Sequence, residues 1–341
     1  MGGTTVALAE GSAYTLFNPA AAAVRPSTSN DKFDWDWHFA TLSPSAGSDI
    51  DNNGIGDDQS SSIAPAVNGG FLLQYRNFAI GLTLAIDTRD VPGGEVDRNS
   101  GGLLVAWSLL RRQLTLGLSL NVPSFSLAIR GNELFNTNSI SLGTGAVWRP
   151  QNRHFRVGAT MQTPVGGHEV QAKCDPENCR GFILPNRSDS PWQASAGLAY
   201  RFAKTPWNQK VRTRWRDERS VILAGDIGFA GSLENSFGIE AFTNQQLQPS
   251  GRDVGLIARL GAEYEWIPGY LRVRGGGYWE PSRFRDPTNS KVSGRVHLTL
   301  GAEGRIFNFR LFGKRYRAAL SVAADVAKNY GNVVISPGLW H

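Results

Sequence analysis

The stretch Phe78-Ala79-Ile80-Gly81-Leu82-Thr83-Leu84-Ala85-Ile86-Asp87 decides how this chain folds. Phe78, Ile80, Leu82, Leu84 and Ile86 are apolar, and the residues between them are small or polar. In an extended strand successive side chains point to opposite faces, so this segment has one greasy and one wet face. The pattern recurs along the chain, from Phe33-Asp-Trp-Asp-Trp-His-Phe39 to Val254–Trp266 and Leu271–Trp279. A soluble sandwich would bury the greasy faces against each other. With 39 glycines and long polar connections, a barrel whose greasy face looks outward into lipid is the competing arrangement.

Composition narrows the choice. No run reaches the roughly 18 consecutive apolar residues of a membrane helix, whereas a barrel strand needs only about 10 alternating residues. The 341 residues show no compositional break in the middle and read as one barrel. Hairpins close through brief turns at Arg76-Asn77, Arg111-Arg112-Gln113 and 150–154, and longer polar segments at 43–67, 88–99, 123–138 and 164–190 read as loops. Short turns at one end and long loops at the other are the habit of outer-membrane barrels. About fourteen strands are expected. Asn332–Trp340 is a further strand candidate and 237–243 the weakest, so parity removes one of them. Trp107, Trp148, Trp192, Tyr200, Trp266, Tyr270 and Trp279 fall near strand ends, where they would form interfacial girdles.

Net charge is +6, but no recognition motif accompanies it, and the densest run, Lys210 to Arg219, is diluted by Asp217 and Glu218. Nucleic acid is not an expected partner. Cys174 and Cys179 are five residues apart in a turn-rich loop and are expected to form a disulfide; a zinc site would need further ligands that are not nearby. Met1 is followed directly by Gly2-Gly3-Thr4-Thr5, so an exported chain is expected to have lost its signal peptide.

Residues 1–30 lack strand alternation. Met1-Gly-Gly-Thr-Thr-Val-Ala-Leu-Ala-Glu10, with Asn18-Pro19-Ala20 further on, resembles the amino-terminal signature of the FadL-type outer-membrane transporters for long-chain fatty acids and other hydrophobic compounds. Leu184-Pro185 with Gln193-Ala-Ser-Ala-Gly-Leu-Ala-Tyr-Arg201, and Leu260-Gly-Ala-Glu-Tyr264 with Leu271-Arg-Val-Arg-Gly275, are similar to later motifs of that family, in the same order. The resemblance implies a 14-stranded antiparallel transmembrane barrel, residues 31–341, in the bacterial outer membrane, with residues 1–30 as a hatch inside the lumen and Asn18, Pro19 and Ala20 at its gate. It further implies passive transport of small hydrophobic molecules, with lateral exit through the wall near a kinked strand. The PorV-like branch shares the signature, so a structural barrel anchoring surface or secretion partners is the alternative, and a general diffusion porin stands third. Its expected surroundings are outer-membrane lipid, a small hydrophobic ligand and, on the alternative, a protein partner.

Several residues invite chemistry. With Val254 to Tyr264 facing lipid, Arg259, Glu263 and Glu265 point inward, as do Arg272 and Arg274, then Arg295, His297, Glu303 and Arg305. This mixed-sign ladder is either a structural network or a polar conduit. Asp34, Asp36 and His38 share the wet face of the first strand. No serine nucleophile motif accompanies them, so the chain reads as a non-enzyme and these side chains are expected to contact the hatch. Asp49, Asp51, Asn53, Ile55 and Asp57, with Gly54 at the sixth position, have the spacing of a calcium loop but lack its closing Glu, Ser60 standing there. Calcium that stiffens the loop and a plain solvated acidic loop both stay open, and no cofactor is required.

Overall fold

The structure, a computed structural model, describes residues 1–25, 29, 32–42, 47, 49, 52–54, 66–91, 94–166, 174–175, 178–179, 184, 189–210, 218–233, 236–237, 248–286, 288–311 and 314–340. In chain order the strands are β1 Phe33–Leu42, β2 Ala66–Tyr75, β3 Phe78–Val91, β4 Gly94–Leu109, β5 Leu114–Ile129, β6 Asn132–Asn138, β7 Ser141–Trp148, β8 Phe155–Gln162 and β9 Gln193–Phe202. They continue with β10 Val221–Ala230, β11 Ser236–Phe237, β12 Pro249–Ser250, β13 Gly255–Ile267, β14 Leu271–Glu280, β15 Arg295–Leu311, β16 Lys314–Ala327 and β17 Tyr330–Trp340. Fourteen of them form a closed antiparallel ring in which β5 passes directly to β7, β10 to β13, and β17 returns to β1. β6 folds back on β5 alone, and β11 pairs only with β12.

The alternation at Phe78 has the expected consequence. Phe78, Ile80, Leu82 and Leu84 are 42–58% exposed, while Ala79 is buried and Thr83 is 7% exposed. Leu116, Leu118, Leu198, Leu256, Leu260, Leu298 and Leu300 continue the outward apolar band, which in water would be a grave liability and in lipid is the stabilising face. Trp107, Trp148, Tyr200, Trp266 and Tyr270 stand exposed towards the short-turn end of this band, and Trp192 and Trp279 towards the other.

The start of β1 and the end of β17 lie at the short-turn end, since Phe33 opposes Tyr75 and Trp340 opposes Arg317. The tail is therefore a wall strand, and of 237–243 the described part, Phe237, belongs to a two-residue pairing outside the ring. Two connections differ from the sequence reading. Segments 88–99 and 123–138 are mostly strand: β3 pairs with β4 up to Val91↔Gly94 and β4 with β5 up to Gly94↔Ile129. Beyond the lipid no bilayer keeps one whole face apolar, so polar pairs such as Thr88 Oγ1 donating to Asp97 Oδ1 at 2.7 Å interrupt the greasy alternation, and periodicity carries little signal. The projecting sheet covers its own small core, in which Val96, Leu127, Ile129, Leu134 and Phe135 pack with Cys179 and Leu184. Cys174 and Cys179 form a disulfide there, with Cα atoms 5.3 Å apart.

Candidate functional site

Residues 1–25 run along the inward face of the ring as a chain of small residues with two single-turn 3-10 segments, Ser12–Tyr14 and Pro19–Ala23. Ala20, Ala21 and Val24 pack on Val147, Ala22 and Ala23 on Leu72, Ala79, Leu104 and Ala106, and Ala7 and Leu8 on Ala199 and Ala224. Such close approach needs bare wall: a Cβ on Gly158 would land on the Val6 carbonyl, and one on Gly145 on the Asn18 side-chain oxygen.

The wall also supplies polar anchors. Asp226 of β10 accepts from the Thr5 and Val6 amides at 2.7 and 3.1 Å, Asp36 of β1 from the Ser12 amide at 2.7 Å, and Ser108 of β4 donates to the Ala23 carbonyl at 2.9 Å. Asn18 is fully buried; its Oδ1 caps the Ala20 amide at 3.1 Å, and its Nδ2 donates to the Val6 carbonyl at 3.0 Å and the Ala146 carbonyl at 3.4 Å. Glu10 pairs with Arg156 of β8 at 2.8 Å.

Between this segment and the wall lies a cavity of about 590 Å³. One side is a cross-strand cluster of three acids and three bases. Arg274 reaches Glu263 at 2.7 Å and Glu303 at 2.6 Å, Arg305 reaches Glu303 at 3.0 Å and Glu265 at 3.4 Å, and Arg272 pairs with Glu265 and, at 3.5 Å, with Glu263. The register places Glu263 opposite Arg274, Glu265 opposite Arg272 and Arg272 opposite Glu303, so the strands themselves align the partners. Equal numbers of opposite charges, mutually bonded, satisfy the burial requirement for ions and leave no net charge.

On the other side the cavity is lined by Trp37, His38, Ser336, Pro337 and Gly338, which is where β1 meets β17. This ladder is thin. β1 registers with β2 at ten residue pairs and β17 with β16 at eleven, but β1 and β17 register only at His38↔Gly338, Thr41↔Ile335 and Leu42↔Val334. Pro337 has no amide to donate, and the Ser336 hydroxyl donates to the Phe39 carbonyl at 3.1 Å. Past the end of β17, Trp35 instead meets Tyr316 of β16, ring centroids 5.5 Å apart, and Tyr316 stacks on Phe309 at 5.7 Å.

Two solved structures match this arrangement nearly end to end. The crystal structure of a Pseudomonas aeruginosa FadL homologue aligns over 98% of this chain and 95% of its own, with a TM-score of 0.58 at 12% identity. The barrel has the FadL-type fold. The Pseudomonas putida toluene transporter TodX aligns over 99% and 96%, with a TM-score of 0.56 at 13% identity. No family model matches the sequence, and no curated protein matches it.

Within the FadL-type fold the inward ladder divides in two. Glu263, Glu265, Arg272, Arg274, Glu303 and Arg305 form the cluster described above, and Arg259 lies opposite Asp226 in the register and beside Gly3. Arg295 and His297 lie at the long-loop end. His297 Nδ1 is 2.9 Å from Asp325 and its Nε2 3.0 Å from Glu280, while Arg295 pairs with Glu280 at 2.6 Å and donates to the Asp49 carbonyl. Asp36 and His38 line the cavity, whereas Asp34 is held by the Ser29 hydroxyl at 2.6 Å. The Asp49 carboxylate accepts from the Asn53 and Gly54 amides at 2.9 and 3.1 Å; Asp51, Ile55 and Asp57 lie outside the described residues. Asp226 escaped the sequence reading. A lone acid on the wet face of Val221–Phe229 was its only signal.

Near the short-turn rim, burial pushes the Glu218 carboxyl up, but hydrogen bonds from Thr205 and the Arg201 guanidinium outweigh this and hold it below its ordinary value. Arg201 and Glu218 pair at 3.0 Å and fasten the 203–220 connection to β9. The connection spans 18 residues from β9 to β10.

Proposed function

We propose that this chain is a passive outer-membrane channel for small hydrophobic molecules, with residues 1–30 as its hatch, Asn18, Pro19 and Ala20 as the gate, and the β1–β17 seam as the exit into the bilayer. The observation that carries the reading is the cavity that runs from the amino-terminal segment to a thin backbone ladder. Leu8, Phe17, Trp37 and Trp207 line it alongside its charged residues, so an apolar solute meets greasy surface on its way to the wall. The Glu–Arg cluster, being neutral overall, acts as a brace between β13, β14 and β15 and not as an ion conduit. The packed amino-terminal segment argues against an open diffusion pore. A molecule leaving between β1 and β17 would never cross the aqueous end of the barrel.

Continuing the register between His38↔Gly338 and Thr41↔Ile335 brings Ala40 opposite Ser336, and cysteines at directly opposed positions of an antiparallel pair can be bridged. With Ala40→Cys/Ser336→Cys in proteoliposomes, oxidation should reduce uptake of a fluorescent apolar probe to the level of empty vesicles, and reductant should restore it. Wild-type protein taken through the same redox cycle controls for Cys174–Cys179. Undiminished uptake with the bridge formed would refute the seam as exit. Absence of uptake by the wild-type protein would refute transport and leave the partner-anchoring barrel in its place.

A further inference from the structure

The outer wall carries a groove of its own. It has a volume of about 630 Å³ and lies in the lipid-facing band, with Phe78, Trp107, Leu116 and Leu118 on one side and Met161 on the other. All five of those side chains are exposed. The floor includes Thr144, Ala146 and Ala159, since Leu116 opposes Ala146, Ala146 opposes Ala159, and Thr144 lies between Leu118 and Met161. Nothing inside the barrel requires Ala146 and Ala159 to be small. Gly117 and Gly145 are bare because Pro19 and Asn18 dock against them, but Ala146 and Ala159 point the other way. The groove also has a direction. Phe78 directly follows the 76–77 turn, whereas Met161 stands six residues beyond the start of β8, about 20 Å along the strand at about 3.3 Å per residue. It therefore leads from the short-turn rim into the hydrocarbon.

Arginines stand at its rim end. Arg112, in the β4–β5 turn, donates to Asn77 Oδ1 at 3.1 Å and to the Arg76 carbonyl at 3.0 Å, which ties that turn to the β2–β3 turn and brings Arg76, Arg111 and Arg112 together. Arg76 lies over the Tyr75 ring at 5.4 Å. Among the described residues none of the three pairs with a carboxylate, and the turns at 76–77, 110–113 and 149–154 contain no Asp or Glu. All three have positive φ, at 52°, 58° and 67°, a region that Gly or Asn enters with less strain. Arginine stands there against the preference of the backbone. The level is that of exposed Trp107 and Trp148, where lipid phosphates lie, and guanidinium forks match phosphate oxygens.

We propose that the groove and its arginine rim form one binding site for an anionic phospholipid, with the phosphate at Arg76, Arg111 and Arg112 and an acyl chain laid over Ala146 and Ala159. Cations at the headgroup level and an apolar channel descending from them match the two ends of such a molecule. An uncharged apolar solute would leave the arginines unused. A second copy of the chain, paired about an axis along the barrel, would set its own arginines beside these at the same rim, where like charges repel. The site lies outside the wall and does not depend on what the lumen carries.

The test uses the full chain in a neutral detergent, titrated with phosphatidylglycerol or with phosphatidylcholine of the same acyl chains and read by native mass spectrometry. The wild-type protein should retain one phosphatidylglycerol, bound about tenfold tighter than phosphatidylcholine. Arg76→Gln/Arg111→Gln should bring the two lipids level, and Arg76→Lys/Arg111→Lys, which keeps the charge, should preserve most of the preference. Ala146→Leu/Ala159→Leu fills the floor from the lipid side and should weaken both lipids severalfold while thermal unfolding stays at the wild-type temperature. Equal retention of the two lipids by the wild-type protein, a preference that survives Arg76→Gln/Arg111→Gln, or undiminished retention in the filled variant would each overturn the proposal. A dimer that persists after delipidation and is lost in the filled variant would overturn it too, by placing a second copy in the groove.

Discussion

Asn18→Ala isolates what holds the amino-terminal segment to the wall. The side chain is fully buried and makes three hydrogen bonds, and truncating it strands the Ala20 amide and the Val6 carbonyl where water does not reach. Each stranded group costs about 1–3 kcal/mol, so the segment should lose about 2–6 kcal/mol of docking free energy. The 3.4 Å bond to the Ala146 carbonyl is long and adds little. Hydrogen exchange read by mass spectrometry on peptides from residues 1–25 reports local opening directly, and the loss corresponds to exchange faster by a factor of about 30 to 2.5 × 10⁴. Peptides from β7 and β13 should be unchanged, because the ring has its own ladders. Asn18→Ser gives an intermediate result, since a hydroxyl can cap the Ala20 amide but is too short to reach Val6. Exchange within twofold of wild type in Asn18→Ala would refute the reasoning, for it would mean that the small-residue packing alone holds the segment.

Gly145→Val should release the same segment by a different route, its side chain occupying the Asn18 position, and exchange in residues 1–25 should rise with no further effect of Asn18→Ala. Glu303→Gln withdraws a carboxylate from Arg274 and Arg305 and should lower barrel stability by about 3–5 kcal/mol in denaturant unfolding. Replacing Cys174 and Cys179 by Ser opens a short loop and should cost the projecting sheet about 2 kcal/mol by the loop-entropy relation, seen as faster proteolysis of the 164–190 connection. Glu218, held below its ordinary value of 4.5, contributes stability that is full above that pH and is lost as pH falls through its depressed folded value. Protease sensitivity of the 203–220 connection should therefore rise on acidification, and Glu218→Gln should be sensitive at neutral pH already.

The ring was legible because its physics is local. Phe78 to Ile86 reports its own two faces, and strand parity, with 237–243 as the weakest segment, left Asn332–Trp340 as a candidate that the structure places in the wall. Above the lipid this reporter fails: at Thr88–Val91 and Gly94–Arg98 polar residues interrupt the alternation, Val96 is buried in the projecting sheet's own small core, and only cross-strand pairing, which is not local, tells strand from loop. The inward acids and bases at Glu263, Arg272 and Arg274 were visible as wet-face residues, but the separation of Arg295 and His297 into a second group depends on where along the barrel each strand begins.

The glycines connect these levels. In the strand pattern Gly145 and Gly158 count only as small residues on the wet face, alternating with the outward Ala146 and Ala159. Their role depends on another segment, because Asn18 and Val6 occupy the volume their side chains would fill. A barrel selected only to span lipid would gain from β-branched residues there, which favour strands and add cross-strand contact. Glycine gives up that stabilisation and lowers strand propensity. The loss is offset by the close approach that seats Val6 and Asn18 against the bare wall, where Asn18 caps the Ala20 amide and bonds the Val6 carbonyl. The bare stretches of the inner wall and the small-residue stretch at the amino terminus are therefore one design, two complementary surfaces. A bulky residue introduced on either side should undock the segment while leaving the outer face unchanged.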